Sequence, residues 1–258
     1  MTHGSLFSGI GGFELAAEWS GLTNVFSCEI QAFNRRVLHH HFPTSNLHDD
    51  VKTFPSSNYT GRIDILTGGF PCQPYSVAGK RLGKEDDRHL WPYMLDIIRE
   101  VAPTYVVGEN VRGLVNWSDG MVFEEVCADL EAEGYDVQPF ILPAASVGAP
   151  HRRDRVWFVA YANDERRKGR ESRGQTKKRP QPNDQFPERR HRLQDANNFD
   201  HMAQSPVCGG DDGLPTELDG ITFPKWRAES IKAYGNAIVP QVAYQIFQAI
   251  KQYEESRQ

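Results

Sequence analysis

The chain is poor in cysteine and has no long hydrophobic run, and these two absences exclude several classes of protein. Its 258 residues contain four cysteines and no Cys-x-x-Cys pair, which argues against a disulfide framework or a zinc site. No apolar run approaches the roughly 18 residues that suggest a membrane-spanning helix, and the amino terminus shows no signal-peptide pattern. We therefore expect a soluble, cytoplasmic protein with no metal and no membrane partner.

The net charge of −5 conceals a strongly basic segment. Between residues 151 and 193 there are 14 Lys/Arg and 6 Asp/Glu, whereas the rest of the chain carries 15 and 28. A polyanionic partner would bind this segment rather than the acidic remainder. The alternative is a solvated, disordered linker, because Arg, Lys, Gly, Gln, Pro and Asn dominate residues 165–185.

Apolar strands alternate with amphipathic helices up to about residue 160, which predicts a mostly parallel sheet covered by helices on both faces. The predicted strands are 5–7, 25–29, 63–66, 105–109, 137–142 and 156–161, and the predicted helices are 13–20, 33–41, 90–101 and 122–134. Residues 163–228 are polar and predict a loop-rich insert, after which helical periodicity resumes over residues 230–253.

Residues 68–76, GGFPCQPYS, follow the apolar run 63–66 and predict a strand that ends in a rigid loop. The prolines fix φ and remove backbone donors, so the loop cannot continue as sheet. Cys72 then lies at the carboxyl edge of the sheet, where α/β proteins bind ligands, in a loop suited to positioning a nucleophile. Taken alone, the segment fits a buried cysteine that acts as a small hydrophobe equally well.

Three further segments end an apolar strand in glycines or polar residues. Residues 3–13 run from a strand through glycines into a helix, a pattern that lets the backbone approach a ligand and offers free N–H groups. Glu29 ends the second strand 18 residues after Gly11, a spacing that suits hydrogen bonds to ribose hydroxyls. Glu109 and Asn110 lie at the end of the fourth predicted strand. Individually, solvated strand-end charges or caps explain each of these residues.

Together with residues 148–159, GAPHRRDRVWFV, and 233–241, AYGNAIVPQ, these motifs resemble the DNA (cytosine-5) methyltransferases. The resemblance covers residues 3–160 and 230–250 in the family's order. It implies an α/β, Rossmann-like methyltransferase fold in which residues 1–162 and 229–258 form the catalytic domain. Residues 163–228 become a short target-recognition region, partly disordered without DNA. The implied cofactor is S-adenosylmethionine, the implied partner is double-stranded DNA, and a monomer is compatible with the sequence.

The resemblance also implies the chemistry of the catalytic residues. Cys72 supplies the thiolate that adds to carbon-6 of a cytosine flipped out of the duplex, which activates carbon-5. Glu109 bonds to ring N3 and the exocyclic amine, a role that a raised pKa favours. Asn110 holds the Cys72 loop or its neighbours, Arg155 contacts the cytosine carbonyl, and Arg153 supports the loop.

The basic motif departs from the family's pattern at His151, where a glutamine is usual. Arg153 and Arg155 flank Asp154 and are expected on one strand face, toward the site. Arg152 is expected to contact a phosphate or to be simply solvated.

The residues that the resemblance places around the cofactor come from several loops, and a carboxyl-terminal helix is expected to close the pocket. They are Phe7, Gly9 and Gly11 on the methionine side, Glu29 at the ribose hydroxyls, Ile30 on the adenine, Asp50 at the adenine amine with Val51 beside it, and Pro71, Leu90, Asn236 and Ala237. Asp49 remains an alternative to Asp50, and Asn236 has the alternative role of a turn residue.

Contacts with DNA are expected from the Cys72 loop and the insert. Gln73 and Ser76 would fill the gap left by the flipped base or bind flanking phosphates, unless they are solvated loop residues. The cluster Lys177, Lys178 and Arg179 is expected to contact phosphates. Two other functions stay open: an RNA cytosine-5 methyltransferase on the same scaffold, and a catalytically inactive DNA-binding relative.

Overall fold

The computed structural model describes residues 1–71, 90–163 and 226–257. The nucleophile candidate Cys72, the loop residues Gln73 and Ser76, and the cluster Lys177, Lys178 and Arg179 lie outside the described residues. Nearly all of the predicted target-recognition region also lies outside the described residues, and so does the expectation that it is partly disordered without DNA.

A seven-stranded sheet forms the centre of the described part, with the strand order β3-β2-β1-β4-β5-β7-β6. Neighbouring strands are parallel except around β7, which is antiparallel to both β5 and β6. The strands are β1 Thr2–Leu6, β2 Thr23–Cys28, β3 Asn46–His48, β4 Ile65–Gly68, β5 Tyr105–Val111, β6 Tyr135–Leu142 and β7 Arg155–Ala162. The predicted mostly parallel sheet is confirmed.

The chain changes direction across this sheet between β1 and β4. From β1 it proceeds outward to β2 and β3, and it then returns to β4 and β5 on the other side of β1. Such a switch point opens a crevice at the carboxyl ends of the strands, where α/β proteins bind ligands. The strand ends are level, because Leu6 pairs with Gly68 and Gly68 pairs with Gly108.

Six helices flank the sheet in the described ranges. They are α1 Gly12–Trp19, α2 Ala32–His41, α3 Trp91–Val101, α4 Met121–Ala132, α5 Trp226–Asn236 and α6 Pro240–Ser256. Successive strand residues face opposite layers: Ile65 packs in the core with α1 and α6, and Leu66 in the core with α3 and α4. The parallel strands are therefore apolar on both faces, which explains their continuous hydrophobic runs.

Helix α6 packs against the first helix of the chain, α1, as the sequence predicts for the carboxyl-terminal segment. It buries Val242, Ala243, Ile246, Phe247 and Ile250 along one face. Lys251 Nζ at its far end donates to the carbonyl of Ser20, 2.8 Å away, which fixes the position of α6 along α1.

Three features of the fold differ from the sequence prediction or were missing from it. Strand β3 was not predicted, because it has three residues and only Leu47 is strongly apolar. The helical periodicity of residues 230–253 is interrupted at 237–239, because Pro240 disfavours a helical conformation in the residue before it, and Val239 is extended. The reversed direction of β7 was also not predicted.

No helix within the described ranges is long and apolar enough to cross a bilayer. Residues 1–71, 90–163 and 226–257 also contain no group of three or more His, Cys, Asp or Glu side chains arranged to hold a metal ion.

Candidate active site

Most of the predicted site residues that the structure describes lie at one edge of the sheet. Phe7, Glu29 and Gly69 directly follow the carboxyl ends of β1, β2 and β4, and Asn110 lies near the carboxyl end of β5. The antiparallel direction of β7 brings its amino end to the same edge, where Arg155 pairs with Val111. The motifs thus meet because of strand direction, although they are far apart in sequence.

The glycine-rich loop after β1 is held in shape by Glu29. Phe7, Gly9 and Gly11 all have positive φ angles, of 53°, 58° and 91°. The Glu29 carboxylate accepts the Gly9 N–H at 2.8 Å and the Gln31 N–H at 2.7 Å. Burial raises the pKa of Glu29, and these two hydrogen bonds oppose the rise. One carboxylate therefore fixes both the loop and the end of β2.

The glycines of this loop have different structural roles. Among the described residues, no atom lies within 4 Å of the place where a Cβ on Gly9 would stand. At Gly11 a Cβ would collide with the ring of Phe42, so this glycine is required by packing as well as by its φ angle. The open side of the loop is thus at Gly9, where a ligand can approach the backbone.

The predicted adenine-side residues follow β2 and β3 at the same edge. Ile30 is 59 % exposed, which is unusual for a large apolar residue directly after a buried strand. Asp50 is half-buried and its Oδ1 accepts the Lys52 N–H at 2.9 Å, which orients the carboxylate. Its neighbour Val51 is buried in the core. Asp49 is exposed.

The remaining predicted cofactor residues come from three separate segments. Pro71 is exposed at the end of the loop after β4, and Leu90 is a half-buried residue that precedes α3 and packs on the core. Asn236 is the last residue of α5 and is exposed, and Ala237 follows it in the connection to α6.

Glu109 and Arg155 form an ion pair at the base of the site. Arg155 Nε lies 2.9 Å from Glu109 Oε1, and both side chains are largely buried. Burial raises the pKa of Glu109 to about 7, although the charges of Arg155 and Arg153 act to lower it. The carboxyl group can therefore be protonated or ionised near neutral pH, as a group that exchanges a proton requires.

The loop that leads to Cys72 is tied to the end of β5. Asn110 Nδ2 donates to the carbonyl of Phe70 at 2.8 Å, and Asn110 Oδ1 accepts the Val111 N–H at the same distance. A Cβ on Gly69 would stand 3.3 Å from Glu109 Oε2, so the Glu109 carboxyl lies against the backbone that precedes Cys72.

Arg153 does not share a strand face with Arg155, contrary to the expectation from their alternation. Strand β7 begins at Arg155, and Arg153 lies before it with a φ of 37°. Its Nη2 donates to the carbonyl of Gly235 at 2.9 Å and to that of Ala237 at 2.6 Å. Burial lowers the pKa of Arg153, with Arg155 adding to this effect.

A second charged group lies at the outer rim of the site. Asp154 Oδ2 contacts Arg152 Nη2 at 2.8 Å and Arg112 Nη1 at 2.9 Å, and both arginine side chains are mostly exposed. Arg112 was not predicted from the sequence as a site residue. Its position two residues after Asn110, at the end of a predicted strand, is the one sequence feature that indicates it.

The two described cysteines have poor environments for a nucleophile. Burial raises the pKa of the Cys28 thiol to about 12, and the carboxylates of Glu29 and Asp50 add to the rise. Burial also raises the pKa of the Cys127 thiol, to about 11. A reactive thiol needs a lowered pKa from positive charge or a helix amino terminus, so neither cysteine is a candidate.

The arrangement at the ends of β1 and β2 fits S-adenosylmethionine. The backbone is open at Gly9, a buried carboxylate lies beside it at Glu29, and an exposed apolar side chain follows at Ile30. These three features match the amino-acid portion, the ribose hydroxyls and the adenine face of such a nucleoside.

Residues 1–205 match a family model described as C-5 cytosine-specific DNA methylase. The chain is 37% identical over 160 residues to Type II methyltransferase M.NgoBI of Neisseria gonorrhoeae, covering 62% of this chain and 50% of the relative. It is 36% identical over 162 residues to Type II methyltransferase M.Eco47II of Escherichia coli, covering 62% and 39%.

Among solved structures, a Spodoptera frugiperda DNMT2 mutant superposes with a TM-score of 0.53 and 28% identity, covering 63% of this chain and 50% of that one. The chain spans about half the length of the relatives it matches. Because the family model matches residues 1–205 of 258, the chain belongs to the C-5 cytosine-specific DNA methylase family.

Proposed function

We propose that this protein is a DNA (cytosine-5) methyltransferase that transfers a methyl group from S-adenosylmethionine to carbon-5 of a cytosine. One observation carries the proposal: the buried Glu109–Arg155 pair lies against the backbone that leads into Cys72, at the sheet edge that also carries the glycine loop. The relatives with Type II methyltransferase names support the same activity.

The first role of the chain is to bind and orient the flipped cytosine. A protonated Glu109 donates a hydrogen bond to ring N3 and accepts one from the exocyclic amine. Arg155, which is paired with Glu109, would turn a guanidinium N–H toward the ring carbonyl. Because both groups are largely buried, their interactions with the ring are stronger than in water.

The second role is nucleophilic. The Cys72 thiolate adds to carbon-6, which makes carbon-5 electron-rich enough to attack an electrophilic methyl group. Asn110 fixes the carbonyl of Phe70, two residues before Cys72, and so limits where the thiol can stand. Bound S-adenosylmethionine supplies the methyl group as a sulfonium. Loss of the carbon-5 proton then lets Cys72 leave carbon-6.

The cofactor would be held by Phe7, Gly9 and Gly11 on the methionine side, with Glu29 at the ribose. Ile30, Asp50, Val51, Pro71, Leu90, Asn236 and Ala237 would complete the pocket. Gln73, Ser76, Arg152 and the cluster Lys177, Lys178 and Arg179 would contact DNA. A DNA substrate would place the enzyme in the cytoplasm of a bacterial or phage-infected cell.

The test is a methyl-transfer assay combined with covalent trapping. The wild-type protein should form a stable adduct with a duplex oligonucleotide that contains 5-fluorocytosine, because fluorine cannot leave as the proton does. The variant Cys72→Ser should form no adduct and show no turnover while it still binds DNA. Near-native turnover by Cys72→Ser would show that the assigned mechanism is wrong, and a wild-type protein without turnover would favour the inactive relative.

The substrate class is tested in the same assay. Equal concentrations of duplex DNA and structured RNA, both rich in cytosine, should give methylation of the DNA only. Methylation of the RNA alone would replace the proposal with the RNA cytosine-5 methyltransferase. Sequencing 5-methylcytosine in DNA from cells that express the protein would then identify the recognised site.

A further inference from the structure

We propose that Arg153 is a positioning residue of the cofactor pocket, which acts by fixing both backbone neighbours of Asn236. This inference rests on the proposed function, because it gives residues 235–239 a role in binding S-adenosylmethionine. It moves Arg153 from the support of the Cys72 loop, the role that the family resemblance implies, to the cofactor side of the site.

The contacts of Arg153 carry the inference. One nitrogen, Nη2, donates to the carbonyl of Gly235 at 2.9 Å and to the carbonyl of Ala237 at 2.6 Å. These two carbonyls flank Asn236, which is itself exposed at the end of α5. Two charge-assisted hydrogen bonds on either side of one residue fix its backbone, and with it the direction of its side chain.

The segment that Arg153 fixes also touches the helix that begins at the glycine loop. A Cβ on Gly12, the first residue of α1, would stand 2.6 Å from Ile238 Cγ1. The side chain of Ile238 therefore fits closely over the start of α1, directly after the loop that contains Gly9. Fixing residues 235–238 consequently fixes one wall beside the glycine loop.

Among the described residues, Arg153 and Arg155 also line one small cavity, of about 10 Å³, together with Val239. Arg155 pairs with Glu109, whereas Arg153 donates to the carbonyls of Gly235 and Ala237. The two arginines of the motif thus serve different parts of the site.

The experiment measures S-adenosylmethionine binding by calorimetry in the absence of DNA. Arg153→Ala should weaken the affinity about tenfold, the loss expected for a charge-assisted hydrogen bond. Asn236→Ala should weaken it by a similar factor. If Arg153 acts through Asn236, the double variant should be no weaker than Asn236→Ala alone, because coupled residues are not additive. If the double variant instead loses affinity by the product of the two single-variant factors, the inference is wrong.

Steady-state kinetics separate this role from one at the target base. Arg153→Ala should raise the KM for S-adenosylmethionine about tenfold and keep kcat within a few-fold at saturating cofactor. A collapse of kcat with an unchanged KM and unchanged affinity would assign Arg153 to the base instead.

Two controls keep the outcome interpretable. Arg99→Ala, at an exposed arginine of α3 that contacts Asp96, should leave cofactor affinity unchanged. Arg153→Lys keeps the charge with a different reach, and it should show an intermediate loss even if Arg153→Ala fails to fold. A wild-type protein that does not bind S-adenosylmethionine would contradict the proposed function, whereas normal binding by both Arg153 variants would contradict only this inference.

Discussion

At the scale of single residues, Glu109 shows how burial and nearby charges together set the pKa of a carboxyl group. Burial alone raises its pKa, and the nearby Arg155 and Arg153 limit the rise, so that the value is about 7. A fully exposed glutamate would be ionised at neutral pH and could not donate to ring N3. A carboxyl without the arginines would remain neutral over a much wider range of pH.

The first prediction is therefore a pH dependence that Glu109 causes. The value of kcat/KM should contain a falling limb as pH rises through about 7, because the neutral carboxyl is lost there. Glu109→Gln, which cannot ionise, should remove this limb and lower kcat by about 10²–10³. The pH–rate profiles of both proteins measure this, with Glu125→Gln on the exposed face of α4 as the control. A limb that persists in Glu109→Gln belongs to another group.

The same pKa predicts the contribution of Glu109 to stability. A folded-state pKa raised above the usual 4.5 means that the native protein holds this proton more tightly than the unfolded chain. Its stabilising contribution is complete below pH 4.5 and declines as pH rises through about 7. Urea unfolding between pH 5 and pH 8 measures this decline in the free energy of unfolding. In the Glu109→Gln variant the part of the decline that Glu109 causes should be absent.

A second prediction concerns Glu29, which has two roles. It accepts the N–H groups of Gly9 and Gln31 and is expected to accept the ribose hydroxyls as well. Glu29→Ala should weaken S-adenosylmethionine binding by about 1.5–3 kcal/mol, and Glu29→Gln by less, because the amide keeps one acceptor. Calorimetry measures both values. Unchanged affinity in Glu29→Ala would remove this residue from the pocket.

At the scale of elements, three neighbouring strands are joined by a buried polar group as well as by their ladders. His3 is on β1, and its Nδ1 lies 2.7 Å from Asn24 Oδ1 on β2. Its Nε2 lies 2.9 Å from Thr67 Oγ1 on β4. All three side chains are buried, so they satisfy one another instead of water. Burial lowers the pKa of His3 to about 4, although the hydrogen bond with Asn24 opposes the change.

This buried histidine predicts acid sensitivity of the central strands. A folded-state pKa of about 4, below the usual 6.5, means that the stabilising contribution is present above pH 6.5 and is lost as pH falls toward 4. Between pH 7.5 and pH 5 the free energy of unfolding should fall by about 2 kcal/mol because of His3. Urea unfolding measures it. His3→Gln should show a flatter dependence, whereas His40→Gln, at an exposed position on α2, should behave like the wild type.

At the scale of the whole molecule, charge is divided unevenly along the chain. Residues 151–193 carry 14 basic and 6 acidic side chains, and the rest of the chain is acidic. Repulsion by the acidic part and attraction by the basic segment would together favour contact of DNA with that segment. The basic motif at the site, residues 151–155, belongs to the same segment.

The resulting prediction concerns Lys177, Lys178 and Arg179. Neutralising all three should weaken DNA binding nearly equally for all sequences, because phosphate contacts carry no sequence information. The slope of the logarithm of the DNA-binding constant against the logarithm of the salt concentration should become less steep. The change should be about 0.9 for each phosphate that the variant no longer neutralises. Titrations at several salt concentrations measure the slope, with Arg62→Gln, at an exposed arginine before β4, as the control. A changed methylation site in the triple variant would mean that this cluster reads bases.

Features that depend on short segments could be predicted from the amino-acid sequence alone. Apolar runs fix which residues form strands, and glycines and prolines fix where those strands end, so the strand-end positions of Glu29 and Glu109 could be predicted from the sequence. The ordered motifs were specific enough to indicate the family. Strand β3 was missed for the same reason, since three residues with one strongly apolar side chain carry almost no periodic signal.

The way in which the motifs face one another depends on how the whole chain packs. Arg155 meets Glu109 because β7 runs against β5, and the direction of a strand is not encoded in its own alternation. Arg153 reaches Gly235 and Ala237, 82 and 84 positions away in sequence, because its backbone turns through a positive φ angle just before β7 begins. Contacts at such separations depend on how all the intervening elements pack, and no local pattern contains that information.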